Sequence, residues 1–219
     1  MNKKLMFSAV LLILFVLLIA LVLRVDVATV EATGKPMGLY GLNTTVHQAL
    51  GTHMLLYKVT QYIGYFSLLV AACFGCYGIV QLIQRKSLKK VDRALWALAG
   101  LYAVTAILYV LFEKVVINYR PILLKGQTEA AASFPSTHTM MFCVILGSTA
   151  MLAGRYIKAS WPRWIVRTGS ILLLAAGVLW RLVSGVHWFT DILGGMLISG
   201  ALLLVFSAVL DKIQEKQNA

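Results

Sequence analysis

Arg181-Leu-Val-Ser184-Gly185-Val-His187-Trp-Phe-Thr-Asp191 joins two apolar runs, one from about Ile165 to Leu182 and one from about Trp188 to Leu210. Each run is close to the ~20 residues that an α-helix needs to cross the hydrocarbon core of a bilayer. The polar stretch between them therefore falls at the end of two membrane spans. Ionisable groups beside apolar helices are expensive and usually have partners. His187 and Asp191 are four residues apart, so a helix starting near His187 puts both on one face.

The same alternation of apolar run and short polar junction fills the rest of the chain. Further apolar segments run from about Leu5 to Leu23, Leu55 to Ile83, Leu95 to Ile117 and Thr139 to Leu152. The last of these is short, and the polar residues before it extend it toward the interface. Of the 219 residues, 60% are hydrophobic and 13% charged, where soluble domains carry about 25% charged residues. The pattern predicts an all-α polytopic membrane protein, a bundle of six transmembrane helices forming a single domain over residues 1–219. For the first segment a signal peptide is the alternative. Its apolar stretch exceeds the usual ~7–15 residues, and no small-residue cleavage site follows.

The net charge is +12. The basic residues lie mostly in loops between spans, so membrane topology accounts for them, and no nucleic-acid-binding motif is present. Lys3 and Lys4, then Arg85, Lys86, Lys89, Lys90 and Arg93, then Arg155, Lys158, Arg163 and Arg167, then Lys212 and Lys216 all fall on one side of six spans. The positive-inside rule makes that side cytoplasmic, with both termini. The expected location is a bacterial cytoplasmic membrane, with the polar junctions extracytoplasmic. The longest loop, about Asp26 to His53, holds Gly34, Pro36, Gly38 and Gly41. It reads as a lid or as a short interfacial helix around Val46 to Leu50. Cys73-Phe-Gly-Cys76 has redox-motif spacing but lies in an apolar segment without a strand-helix unit, so it reads as packing, and with Cys143 it implies no disulfide framework.

Three polar clusters fall at span ends on the outer side: Asn118-Tyr119-Arg120-Pro121, Ser133-Phe134-Pro135-Ser136-Thr137-His138, and the stretch from Arg181 to Asp191. In the third, a carboxylate at Asp191 accepts from one imidazole nitrogen of His187 and leaves the other free as nucleophile or base. Arg120 and Arg181 are permanently charged planar forks suited to phosphate oxygens. Ser136 and the amides opening the fourth span add donors at a helix N-terminus. His138 is a second imidazole, suited to general acid work. His138, His187 and Asp191 also form a two-His-one-carboxylate set of the kind that binds metals. The adjacent arginines oppose a divalent cation, so the expectation is no metal and no cofactor. Taken singly, each residue reads equally well as a snorkelling Arg, a helix cap or an interfacial His. The ordered set with its spacings does not.

These residues resemble the type 2 phosphatidic acid phosphatase family, in its bacterial membrane lipid phosphatase form. That family shows a Lys, six residues, then Arg-Pro; a Pro-Ser-Gly-His; and a Ser-Arg, five residues, His, three residues, Asp. Here stand Arg120-Pro121, Pro135-Ser136-Thr137-His138, and Arg181 with five residues to His187 and three to Asp191. The matching core runs from about residue 113 to 191. Three positions depart from the pattern: Glu113 for the Lys, Thr137 for the Gly and Trp180 for the Ser. Lys114 is rotated by about 100° from position 113 on a helix, and Lys125 is the other local substitute. Glu113, Lys114 and Lys125 thus form the expected substrate rim.

The resemblance implies a metal-independent, two-step hydrolysis. His187 forms a phosphohistidine, Asp191 supports its imidazole, and His138 protonates the leaving group and then activates water. Arg120, Arg181, Ser136 and the Thr137 amide hold the phosphoryl oxygens. Undecaprenyl pyrophosphate, phosphatidylglycerol phosphate and phosphatidic acid are the implied substrates, with the bilayer as the other partner. The alternatives are a lipid phosphotransferase, a non-catalytic lipid-phosphate binder or transporter, and hydrolysis of a soluble phosphate as in glucose-6-phosphatase.

Overall fold

Asn2 opens the first helix by accepting the Lys4 amide, and α1 runs Lys3–Arg24. The computed structural model describes residues 2–218. A two-stranded antiparallel hairpin follows, β1 (Ala28–Val30) paired with β2 (Lys35–Met37). Then come α2 (Tyr40–Leu50), α3 (Met54–Arg85) and, after a single 3₁₀ turn at Leu88–Lys90, α4 (Arg93–Lys114). The chain ends in α5 (Thr137–Tyr156), α6 (Ser160–Val183) and α7 (Phe189–Asn218). All but α2 are long and apolar enough to cross a membrane, six helices among the described residues. The protein is an integral membrane six-helix bundle.

Burial sorts the spans. α5 is the least apolar and the most buried. It packs against α3, α4, α6 and α7, so its side chains face protein rather than lipid and need not be strongly apolar. Small residues let its neighbours come close. A Cβ on Gly195 of α7 would stand 3.0 Å from the Ser136 carbonyl oxygen, and one on Gly177 of α6 would stand 2.9 Å from the Phe142 ring. α1 lies along α7, burying Phe15, Leu18 and Val22 with Phe112, Phe134, Met140 and Ile198. Ser8 donates to the Ala201 carbonyl, and Lys4 pairs with Asp211. The first segment is thus a member of the bundle.

Several boundaries differ from the sequence expectation. α4 stops at Lys114 rather than Ile117, because Val115 is extended and the chain turns toward a β-bridge between Tyr119 and Ala132. The short fourth span extends past both expected ends, to Thr137 and Tyr156, starting on the Ser136 cap. α7 continues past Leu210 to Asn218 as a polar extension. The short helix of the long loop is Tyr40–Leu50, not Val46–Leu50, and it docks on α7.

The end of the bundle away from the α5 N-terminus is clasped by Asp92. It caps α4 by accepting the Ala94 amide, and Arg155 at the end of α5 donates to both its oxygens at 2.9 and 2.8 Å. The Tyr156 hydroxyl adds a third donor at 3.1 Å. Burial raises the Asp92 pKa, but the Arg155 hydrogen bonds and charge outweigh it and hold the carboxylate below its ordinary range.

Candidate active site

The first turn of α7 places Asp191. It is the third residue of the helix, and its Oδ2 accepts the Trp188 amide at 2.9 Å, as the acid of a capping box does. The same oxygen lies 3.4 Å from His187 Nδ1. The turn between α6 and α7 brings His187 over this carboxylate. Gly185 adopts φ +68 there, in contact range of Gly51, where a Cβ would stand 2.3 Å from the Gly51 carbonyl oxygen.

Arg181 reaches the same point from the last turn of α6 and is fully buried. Nη1 donates to Thr60 Oγ1 at 3.1 Å, and Nη2 lies 3.3 Å from His138 Nδ1 and 3.2 Å from His187 Nε2. The guanidinium stacks over Tyr57 at 5.1 Å from the ring centroid. A guanidinium only donates, so both imidazole nitrogens facing it accept. His187 then carries its proton on Nδ1, toward Asp191, and presents the Nε2 lone pair to the cluster. Burial and the charges of Arg181 and Arg120 push the His187 pKa well below 6.5, which keeps the ring neutral.

Arg120 comes from the loop between α4 and α5. That loop is fixed by Arg120 N donating to Ala131 O at 3.1 Å and Ser133 N donating to Asn118 O at 2.9 Å. Trp188 Nε1 donates to the Tyr119 carbonyl at 2.7 Å, and Ser136 N donates to the Asp191 carbonyl at 2.9 Å. These two bonds join the first and second sequence clusters to the third. Ser136 itself caps α5: its Oγ accepts from Thr139 Oγ1 at 3.0 Å and from Thr139 N at 3.4 Å. Its hydroxyl proton remains to be donated, and Thr137 opens the helix beside it.

The structure therefore gathers His138, Arg181, His187 and Asp191 by direct contact, with Arg120 and Ser136 tied in through the backbone. It does not bring in the expected rim. Glu113 and Lys114 end α4 exposed to the surroundings, Lys125 sits exposed in the loop beyond, and none forms an ion pair among the described residues. Two residues of the site, Thr60 and Tyr57, are not among the sequence candidates. Thr60 is fully buried, and Tyr57 lies one turn before it on α3. A polar residue inside an apolar span was the available clue. The Asn118 and Ser133 side chains lie near the Asp191 carboxylate, each with a buried polar atom lacking a partner among the described residues.

One wall of the cluster opens onto an apolar groove of about 470 Å³ between α3 and α4, floored by α5. Gly64, Leu68, Tyr109, Val110, Met141 and Ile145 line it, and His138 stands at its head. The absence of a side chain at Gly64 leaves room there: a Cβ would lie 3.7 Å from His138 Nε2 and 2.9 Å from the Met141 methyl.

A buried Arg–His–Asp cluster beside an apolar groove, within a six-span bundle, defines a polytopic membrane protein whose cationic and acid–base side chains converge at one point. The chain belongs to the PAP2 superfamily, whose family model matches residues 93–215, more than half its length. It is 39% identical over 89 residues to phosphatidylglycerophosphatase B of Escherichia coli K12, covering 40% of this chain and 32% of that one. The protein of the same name from Shigella flexneri matches to the same extent. The chain thus aligns with about a third of the length of these curated relatives. A crystal structure described as the first transmembrane PAP2 type phosphatidylglycerolphosphate phosphatase, from Bacillus subtilis, matches over 94% of this chain and 96% of its own. The TM-score is 0.61 and the identity 20%, so what is shared there is the fold.

Proposed function

We propose that the protein is a membrane lipid phosphatase, hydrolysing a phosphomonoester or pyrophosphate on a lipid without a metal ion. The observation that carries this reading is the single Arg181 Nη2 shared by His138 and His187 at 3.3 and 3.2 Å, with His138 also heading the apolar groove. A phosphoryl group at that point has Arg181 and Arg120 for its charge and the His187 Nε2 lone pair as nucleophile. The lipid tail has the groove. Nε2 attacks phosphorus, the bond to the leaving oxygen breaks, and His138 gives that oxygen a proton. Water then attacks the phosphohistidine, His138 takes its proton, and the P–N bond breaks to release phosphate. Asp191 keeps the Nδ1 proton in place throughout.

Phosphatidylglycerol phosphate is the first substrate to test, since two relatives are named for it. Undecaprenyl pyrophosphate and phosphatidic acid share the chemistry. We place the termini and the Asp92 clasp on the cytoplasmic side of a bacterial cytoplasmic membrane, and the site on the outer side, from the distribution of Lys and Arg. The chain acts as one domain. Purified protein in EDTA is expected to release phosphate from at least one of these lipids, and the His187→Ala variant to release none. No release from any of them, or equal release by the variant, removes the proposal.

A further inference from the structure

α2 lies outside the spans, yet its polar residues are more ordered by contact than an interfacial helix needs. Asn43 is fully buried. Its Oδ1 accepts the Thr190 amide at 3.2 Å, and its Nδ2 donates to Thr190 Oγ1 at 3.1 Å and to the Gly38 carbonyl at 3.0 Å. Thr190 is the second residue of α7, so its amide is one of the four that a helix start leaves without an intrahelical acceptor. Asn43 does the work of an N-cap from a different helix.

One turn further along α2, His47 lies on the same face. Its Nε2 is 3.0 Å from the Gly185 carbonyl, so that nitrogen donates, and its ring packs 5.3 Å from Trp188. The two side chains grip residues 185 and 190, on either side of His187. The His53 amide adds a third tie, donating to the Ser184 carbonyl at 3.1 Å.

We propose that Asn43 and His47 are positioning residues, a brace from the extramembrane helix that sets the His187 imidazole against Arg181 and Asp191. Neither touches the reacting atoms. The brace is needed because Gly185, at positive φ, leaves the turn before His187 with little stiffness of its own. Its catalytic part rests on the phosphatase reading above.

The test uses the full chain in detergent, with wild type and His187→Ala alongside. Asn43→Ala and His47→Leu are expected to lower kcat by about tenfold to hundredfold, the effect of a roughly 1 Å misplacement, with KM for the lipid changed less than about twofold. His47→Gln, whose amide nitrogen reaches about as far as imidazole Nε2, is expected to recover most of the loss. Hydrogen exchange by mass spectrometry is expected to speed up in the peptide spanning 185–191 and not in the rest of the spans, which separates loosening from misfolding. Wild-type kcat in both Asn43→Ala and His47→Leu overturns the proposal, as does a loss confined to KM or a His47→Gln as impaired as His47→Leu. If wild-type protein itself releases no phosphate, the phosphatase reading fails. The brace then stands on faster exchange confined to 185–191, and falls if that exchange is unchanged.

Discussion

Nη2 of Arg181 lies 3.2 Å from Nε2 of His187. A cation that can only donate therefore faces the nitrogen that the proposed reaction uses, and fixes its lone pair inward. The same guanidinium reaches Thr60 on α3 and His138 on α5, so one side chain sets the relation of three helices. Lysine in its place keeps the charge but has one nitrogen, no fork and no stacking plane for Tyr57. Arg181→Lys is expected to lower kcat/KM at least about a hundredfold, as loss of a single well-placed donor does. Phosphate release from the preferred lipid measures it. Near-wild-type turnover would mean that the fork is not what holds the phosphoryl group.

Gly64 controls the head of the groove. A Cβ there meets the Met141 methyl at 2.9 Å, the far end of a flexible side chain that yields easily. Gly64→Ala is expected to be tolerated. Gly64→Leu adds atoms that reach toward His138 and fill the space for the lipid beside it. Its activity on long-chain lipid phosphates is expected to drop at least about tenfold, with short-chain analogues affected less. Equal losses on both would place the tail elsewhere.

The pH profile tests the electrostatics of His187. Its pKa in the folded protein lies well below 6.5, through burial and the charges of Arg181 and Arg120. The ring is neutral at pH 6.5, so the acid limb of kcat/KM that it governs falls at lower pH than an ordinary histidine gives. Removing a nearby positive charge raises that pKa. Arg120→Gln is therefore expected to move the limb upward in pH, besides weakening phosphate binding. The substrate's own ionisation near pH 6 is common to both proteins and cancels in the comparison. An unmoved limb would show that another group governs it.

The six spans were legible because lipid demands long apolar helices, and the chain has them. α5 was the hardest to delimit because it faces protein, and protein does not demand uniform hydrophobicity. The Arg181–His187–Asp191 arm was readable from its spacing, since a helix start converts four residues into one face. Thr60 was not readable as a partner of Arg181: the two are 121 residues apart, and only the packing of α3 against α6 joins them. α2 was under-read for a related reason. Asn43, Thr44 and Thr45 carry no apolar periodicity, and its extent follows from docking on α7 rather than from local preference. Motif alignment puts Glu113 at the family Lys position with Lys114 beside it, while the end of α4 leaves both exposed.

Asp92 offers a stability test at the other end of the bundle. Its carboxylate joins α4 to α5 through two Arg155 bonds at 2.9 and 2.8 Å and the Tyr156 bond at 3.1 Å. Its amide donates to Gln81 Oε1 at 3.0 Å, which adds α3. Asparagine caps a helix about as well as aspartate, so Asp92→Asn removes the ion pair and leaves the α4 cap. The variant is expected to be less stable by about 1.5–3 kcal/mol at pH 7, the range for hydrogen bonds to charged groups. The sign of the pH dependence follows from the lowered pKa of Asp92. The stabilisation is fully present above the unfolded carboxylate pKa of about 3.9 and is lost as pH falls through the lower folded value. Unfolding in detergent from pH 7 to pH 3 should therefore show the wild-type advantage shrinking below about pH 4. At pH 7 the kcat of the variant should match wild type, because the clasp and the His187 cluster sit at opposite ends of α5. A pH-independent difference in stability would assign the effect to packing rather than charge, and a loss of kcat would show that the two ends of the bundle are coupled.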